Sequence, residues 1–126
     1  MFKLDDVQLN HKNLNTLKQN FKHVRHFALS RQPKALGVLN ERWPSLESVD
    51  LRGTVLGDDG VKLLVDRPWA LKLERLVLAD NGLTNAAAKT LAEAPLPQMK
   101  RLDLSGNALS KDALARLERR GWLVVG

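Results

Sequence analysis

The chain has 126 residues, 44% of them hydrophobic, a formal net charge of +6 and no cysteine. A chain of this length can bury about two thirds of its unfolded surface, so we expect one domain over residues 1–126 with a hydrophobic core. The composition excludes disulfide frameworks and thiolate metal sites, and no apolar run reaches the roughly 18 residues of a membrane span. We therefore expect a soluble protein of a reducing compartment, the cytoplasm.

The positive charge is concentrated at the front of the chain. Residues 1–45 contain eight Lys/Arg against three Asp/Glu, together with all three histidines. Such a region can bind an acidic protein surface or a nucleic-acid backbone, and the simpler alternative is a solvated flank that keeps the protein soluble. The candidate basic patch consists of Lys12, Lys18, Lys22, Arg25, Arg31 and Lys34.

One phrase recurs along the chain and organises it. Its clearest copies span residues 73–83 and 99–109, with apolar residues at phrase positions 1, 4, 6 and 11 and asparagine at position 9. Weaker copies precede them, and the five predicted units begin at Leu4, Val24, Leu46, Leu73 and Met99. A unit this short cannot bury its own apolar face, so the units must stack on one another.

The first two units are predicted to return through helices. Apolar residues at 14, 17 and 21 form one helical stripe with a polar opposite side, which is what an N-terminal capping unit requires. In the second unit Pro33 can begin a helix over residues 34–42.

The later units carry clearer helix signals. A helix over residues 57–65 would place Asp58 and Asp59 in its first turn, where the helix dipole favours negative charge. Thr84 and Ser110 precede the next two helical segments and are predicted to be their N-caps.

Proline-containing turns and a glycine punctuate the rest of the chain. Prolines follow the predicted helices at 44, 68, 95 and 97, and Gly121 can end the last helix in a left-handed conformation. Residues 121–126 are predicted to form a C-terminal cap with a short closing strand. Trp43 and Trp69 occupy equivalent turns and are interpreted as packing residues, the alternative being exposed interface anchors.

The repeated phrase resembles the signature of the leucine-rich repeat superfamily, in its ribonuclease-inhibitor-like subclass. The resemblance is strongest over residues 46–117. It implies an α/β fold: a right-handed solenoid with a parallel sheet on the concave face, helices on the convex face and protein recognition as its usual role. Position 9 holds Asn81 and Asn107 in the last two units and Thr54 in the third, so a hydrogen-bond ladder between turns is expected chiefly in the second half.

Strand side chains alternate, so positions 3, 5 and 7 of each unit are predicted to face solvent on the concave sheet. Among these positions are two alanines, Ala28 and Ala79. The candidate partner-binding residues are His26, Ser48, Asp50, Arg52, Arg75, Arg101 and Asp103.

Two groups of residues suggest a catalytic or a metal site, and the sequence argues against both. Asp6, His26 and Ser48 would lie in one row in the order of a hydrolase triad, but an open sheet provides no oxyanion hole or substrate pocket. His11, His23 and His26 need not converge and lack a completing carboxylate or thiolate. No glycine-rich phosphate loop is present, so we predict no enzyme activity, metal or cofactor.

The sequence therefore favours a non-catalytic adaptor or scaffold that binds an unidentified protein with an acidic patch through its concave sheet. The alternative is association with nucleic acid or another polyanion through the basic N-terminal flank. A third possibility is an accessory domain that stabilises a larger assembly. No membrane association is expected.

Overall fold

Short parallel strands, one for each of the five units and one from the C-terminal cap, form a single sheet. The computed structural model describes residues 2–3, 24–29, 31, 37 and 42–126. Within these residues the sheet has six strands, and their spatial order follows the chain. They are β1 (Phe2–Lys3), β2 (His26–Ala28), β3 (Ser48–Asp50), β4 (Arg75–Val77), β5 (Arg101–Asp103) and β6 (Leu123–Val125). Parallel neighbours require a return segment between each pair of strands, as the repeat predicted.

The return segments of the second half are helical. They are α1 (Gly57–Val65), a 3₁₀ helix (Pro68–Lys72), α2 (Asn85–Glu93) and α3 (Lys111–Glu118). The predicted caps are confirmed, because Thr84 Oγ1 accepts a hydrogen bond from the Ala86 amide and Ser110 Oγ accepts one from Ala113. Helix α1 packs against α2, and α2 packs against α3. The predicted helix over 34–42 lies almost wholly outside the described residues.

The register of the first unit differs from the prediction. Phe2 pairs with Phe27 and Lys3 pairs with Ala28, whereas the phrase beginning at Leu4 placed Val7 opposite Phe27. The observed repeat from β1 to β2 is therefore 25 residues, close to the later spacings, and the predicted 20 was too short. A longer repeat leaves room for a helical return. The predicted capping helix over 14–21 lies outside the described residues.

The core lies between the sheet and the helices. Position 1, 4 and 6 side chains of the third to fifth units are buried, as are the inward leucines of the helices. Trp43 and Trp69 are 1% and 4% exposed, so both are packing residues, and the Trp43 ring lies 4.8 Å from that of Phe27. At the C-terminal end β6 extends the sheet, and Gly121 takes the predicted positive φ of 87°.

A column of polar side chains, buried in the third and fourth units and partly buried in the fifth, joins the turns that follow the strands. Asn81 Oδ1 accepts hydrogen bonds from the amides of Thr54 and Leu56, and its Nδ2 donates to Leu51 O and Ala79 O. Asn107 makes the same contacts one unit later, to the amides of Asn81 and Leu83. Thr54 stands at the equivalent position of the third unit, and its hydroxyl lies 2.8 Å from Leu51 O. We call Thr54, Asn81 and Asn107 the turn column.

The residue at position 8 of the phrase, just before the position that the turn column occupies, has a left-handed backbone in each of four units. Arg31, Gly53, Asp80 and Gly106 have φ between 56° and 72°. At Gly106 an added Cβ would overlap the carboxylate of Asp80 in the preceding unit, so a side chain there would have to displace Asp80 as well as take a strained positive φ.

Candidate functional site

The sheet register aligns the predicted concave residues in rows. His26, Ser48, Arg75, Arg101 and Leu123 are consecutive partners across β2 to β6. Adjacent members of this row are therefore about 4.8 Å apart, the spacing of neighbouring strands. Asp50, Val77 and Asp103 form a second row two residues further along the strands. The register predicted for the strands of the second to fifth units, β2 to β5, is confirmed.

Two positions expected to face solvent are buried. Ala28 is 2% exposed and Ala79 is 1% exposed, although both occupy concave positions of the phrase. A methyl group projects too little to escape the larger side chains around it. Beside Ala79 the guanidinium of Arg52 reaches across β4 to Asp103, with Nη2 at 3.7 Å from Oδ2. The concave surface therefore has a shallow floor between charged side chains.

Three predicted partner-binding residues are already engaged within the protein. Asp50 Oδ1 accepts a hydrogen bond from the Arg52 amide at 3.0 Å. Asp103 Oδ1 accepts from the amide and hydroxyl of Ser105, at 3.0 and 2.7 Å, while its other oxygen faces Arg52. The carboxylates thus fix the chain at the ends of β3 and β5, and Arg52 makes an ion pair within the protein. That these three residues contact a partner stays a prediction.

A second charged row, missed by the sequence analysis, lies one residue earlier on the same strands. Arg25 donates from Nη2 to both carboxylate oxygens of Glu47 at 3.0 Å, and Lys100 Nζ lies 2.6 Å from Glu74 Oε1. The hydrogen bond from Lys100 lowers the pKa of Glu74, and the one to Glu47 raises the pKa of Arg25. We call Arg25, Glu47, Glu74 and Lys100 the paired row. A search for opposite charges at phrase position 2 would have found it.

Arg75 and Arg101 contrast with the paired row. Both are exposed neighbours on β4 and β5, and within the part of the chain that the structure describes neither guanidinium has a hydrogen bond or ion pair. Leu123 continues their row and is 59% exposed. We call Arg75 and Arg101 the arginine pair. Two fork-shaped donors side by side suit carboxylate groups, and a neighbouring leucine adds an apolar contact.

Only two of the six residues in the candidate basic patch, Arg25 and Arg31, lie in the described part of the chain. Arg25 belongs to the paired row, so its charge is offset by Glu47, and Arg31 is exposed. Lys12, Lys18, Lys22 and Lys34 lie outside the described residues, so the polyanion alternative stays a prediction.

The set-aside catalytic and metal hypotheses also involve the first unit. His26 and Ser48 are neighbours as predicted, but Asp6 was placed beside them by the register that β1 contradicts. Asp6, His11 and His23 lie outside the described residues. Among residues 24–29 and 42–126, no group of three His, Cys, Asp or Glu side chains could hold a metal ion. No helix in the same ranges is long and apolar enough to cross a membrane.

Comparison with known proteins gives two matches. The family model described as Leucine Rich repeat matches residues 44–65 and 71–92. A protein of Arabidopsis thaliana named "Putative disease resistance RPP13-like protein 3" is 31% identical over 111 residues. The match covers 87% of this chain and 11% of that protein, so the chain spans about a tenth of its length. Together with the parallel ladder and the turn column, these matches identify the fold as an α/β leucine-rich-repeat solenoid.

Proposed function

We propose that this chain is a non-catalytic protein-binding module whose concave sheet binds an acidic segment of a partner protein through Arg75 and Arg101. The observation that carries the proposal is the absence of an internal partner for the arginine pair within the described residues. Leucine-rich repeats generally mediate protein–protein interaction, which supports the same conclusion. Cationic side chains that are not paired within their own protein can attract an acidic partner and favour it over other partners.

The neighbours of the arginine pair suggest the partner's chemistry. His26 and Ser48 extend the row on one side, and exposed Leu123 extends it on the other. A partner segment lying across the strands would meet polar groups, then two cations, then an apolar side chain. We infer that the segment carries two or more carboxylates followed by an apolar residue.

We also propose that the fold belongs to the ribonuclease-inhibitor-like subclass of leucine-rich repeats. Return helices of eight and nine residues support this assignment.

The test is affinity capture from a lysate of the source cell with three baits. The first bait is the wild-type chain, the second carries Arg75→Glu and Arg101→Glu, and the control carries Lys89→Glu and Lys111→Glu. Lys89 and Lys111 are exposed on α2 and α3, so the control changes net charge equally on the helical face. We expect proteins retained by the wild type and the control to be lost from the arginine variant.

Each capture is run with and without nuclease. Retention that survives nuclease and depends on the arginine pair supports the proposal. Equal retention by all three baits would contradict the concave site. Retention that disappears with nuclease and falls steeply with salt would instead support the polyanion alternative.

A further inference from the structure

A groove that the repeat phrase does not predict runs along the turns that precede β3 and β4. It consists of two clefts, of about 630 and 610 Å³, which share Pro44 and Lys72 in their walls. We call the two together the edge groove. Each cleft has the volume of an ordinary ligand site. Because the two clefts share these wall residues they lie side by side, so the edge groove suits a long ligand better than a compact one.

The first cleft has a rigid apolar wall. Trp43 and Trp69 form its back, and both indoles are almost wholly buried in the core. Pro44 and Pro68 stand exposed in front of them, at equivalent turns of successive units. Proline has a fixed φ and no backbone donor, so this wall offers apolar contact and little conformational adjustment.

The rim of the first cleft is cationic. Arg42, Arg67 and Lys72 line it, and none of its lining residues within the described part of the chain is acidic. Two of these cations are held by backbone carbonyls: Arg67 Nε lies 3.2 Å from Leu63 O, and Lys72 Nζ lies 3.1 Å from Pro44 O. The Lys72 contact crosses the cleft between the two turns and uses one of the ammonium's three donors. The first cleft therefore fits an anionic group beside an apolar one.

The second cleft has a different charge pattern. Arg25 and Glu47 from the paired row line it together with Glu74 and Lys72. Glu47 is bonded to Arg25, and Glu74 is bonded to Lys100, so this half of the groove is locally balanced. A uniform polyanion such as a nucleic-acid strand would gain nothing along it and would meet two carboxylates. A peptide can be acidic at one end and neutral at the other.

We propose that the edge groove binds an extended peptide segment of a partner protein, acidic where it enters the first cleft and neutral or mixed in charge along the second. Carboxylates of the peptide contact Arg42 and Lys72, and an apolar side chain between them lies against Pro44 and Pro68. The proposal uses residues distinct from the arginine pair, so it does not depend on binding at the concave sheet.

The experiment selects peptides from a displayed random heptapeptide library on the wild-type chain. Enriched peptides are then measured against three variants, each carrying two Lys/Arg→Glu changes: Arg42→Glu with Lys72→Glu, Arg75→Glu with Arg101→Glu, and the Lys89→Glu, Lys111→Glu control. Nuclear magnetic resonance spectra of each variant verify the fold. For the best peptide we expect affinity to fall about tenfold or more in the first variant and less than about twofold in the control.

The same spectra locate the peptide. The indole N–H signals of Trp43 and Trp69 and the amides around them are expected to shift on titration. A peptide in which glutamine replaces every carboxylate should bind at least about tenfold more weakly. The proposal is overturned if no peptide is enriched, or if binding is unchanged by Arg42→Glu with Lys72→Glu. Loss in the Arg75→Glu, Arg101→Glu variant alone would reject the edge groove and support the concave site, and displacement by a single-stranded oligonucleotide would reject the peptide.

Discussion

The turn column and the arginine pair occupy the same units but have opposite surroundings. Asn81 is 2% exposed, and its side-chain amide bonds to groups of two successive units. Arg75, six residues earlier, is exposed and makes no bond to the residues that the structure describes. The comparison teaches that polar residues in one repeat divide into those whose hydrogen-bonding capacity the fold consumes and those that remain available to a partner.

The paired row and the arginine pair repeat this division among charged side chains. The paired row and the arginine pair differ by a single residue along each strand, and both contain long cationic side chains. In the paired row each cation has a carboxylate on a neighbouring strand, at 3.0 or 2.6 Å. The arginine pair instead places two like charges on adjacent strands, which is unfavourable for the isolated sheet. Charge type alone therefore does not show whether a side chain is already paired within the fold, and its cross-strand neighbour does.

The largest expected effect comes from breaking the turn column. Asn81→Ala removes the acceptor of the Thr54 and Leu56 amides and the donor to Leu51 O in a site closed to water. Leaving such groups unsatisfied should lower the free energy of unfolding by about 3 kcal/mol, measured by urea denaturation at neutral pH.

Asn85→Ala is the matched control for that variant. Asn85 also accepts a hydrogen bond across units, from the Ser110 amide, but it is exposed and water can replace it. We expect a loss of less than about 1 kcal/mol. Equal losses of unfolding free energy in Asn81→Ala and Asn85→Ala would show that burying the Asn81 side chain adds nothing to its contribution to stability.

Much of the fold could be predicted because each unit repeats the same pattern of apolar and helix-capping residues. Position 4 side chains such as Val49 and Leu76 alternate with solvent-facing neighbours, so a strand follows from each copy of the phrase. Thr84 and Ser110 act as helix caps through local hydrogen bonds, which sequence spacing alone specifies. These features require no knowledge of the neighbouring unit beyond the repeat itself.

The remaining features depend on contacts between units that the phrase does not describe. The weak first copy allowed two registers, and only pairing with Phe27 distinguishes Phe2 from Val7. The ion pair from Arg52 to Asp103 spans two strand spacings, so no rule about adjacent residues predicts it. Arg75 and Arg101 are exposed as predicted, and the exposed Leu123 beside them was overlooked because its segment was interpreted only as a cap. The binding role of these residues stays a prediction.

A smaller effect is expected from Asp58, which links α1 to the cap of α2. Its carboxylate accepts hydrogen bonds from Thr84 N and Oγ1 at 2.8 and 2.6 Å. The bond from the Thr84 hydroxyl, followed by the one from its amide, lowers the pKa of Asp58 below the ordinary 3.8. Asp58→Asn should cost about 1 kcal/mol at neutral pH, since the pair is partly exposed.

The sign of the pH dependence follows from that lowered pKa. Because the folded state holds Asp58 ionised more strongly than the unfolded chain does, its stabilisation is complete above pH 3.8 and is lost as the pH falls through the folded-state pKa. The difference between wild type and Asp58→Asn in denaturant titrations should therefore shrink only in that acidic range. Asp59→Asn removes a neighbouring exposed charge from the same turn and serves as control. A difference that already vanishes near neutral pH would contradict this assignment.

The smallest effect on stability is expected at the arginine pair, because neither side chain contributes a bond to the described fold. Arg75→Gln with Arg101→Gln removes two adjacent like charges that make no bond within the described chain, so the free energy of unfolding should change by less than about 0.5 kcal/mol. Arg120→Gln is the contrasting control, because Arg120 Nη1 donates to Leu91 O and Ala94 O and its guanidinium lies 4.2 Å from the Trp122 ring centre. That control should cost about 2 kcal/mol, since charged hydrogen bonds to partly buried carbonyls are lost. A comparable loss in the double variant would mean that the fold itself uses the arginine pair, and the argument for its availability to a partner would fail.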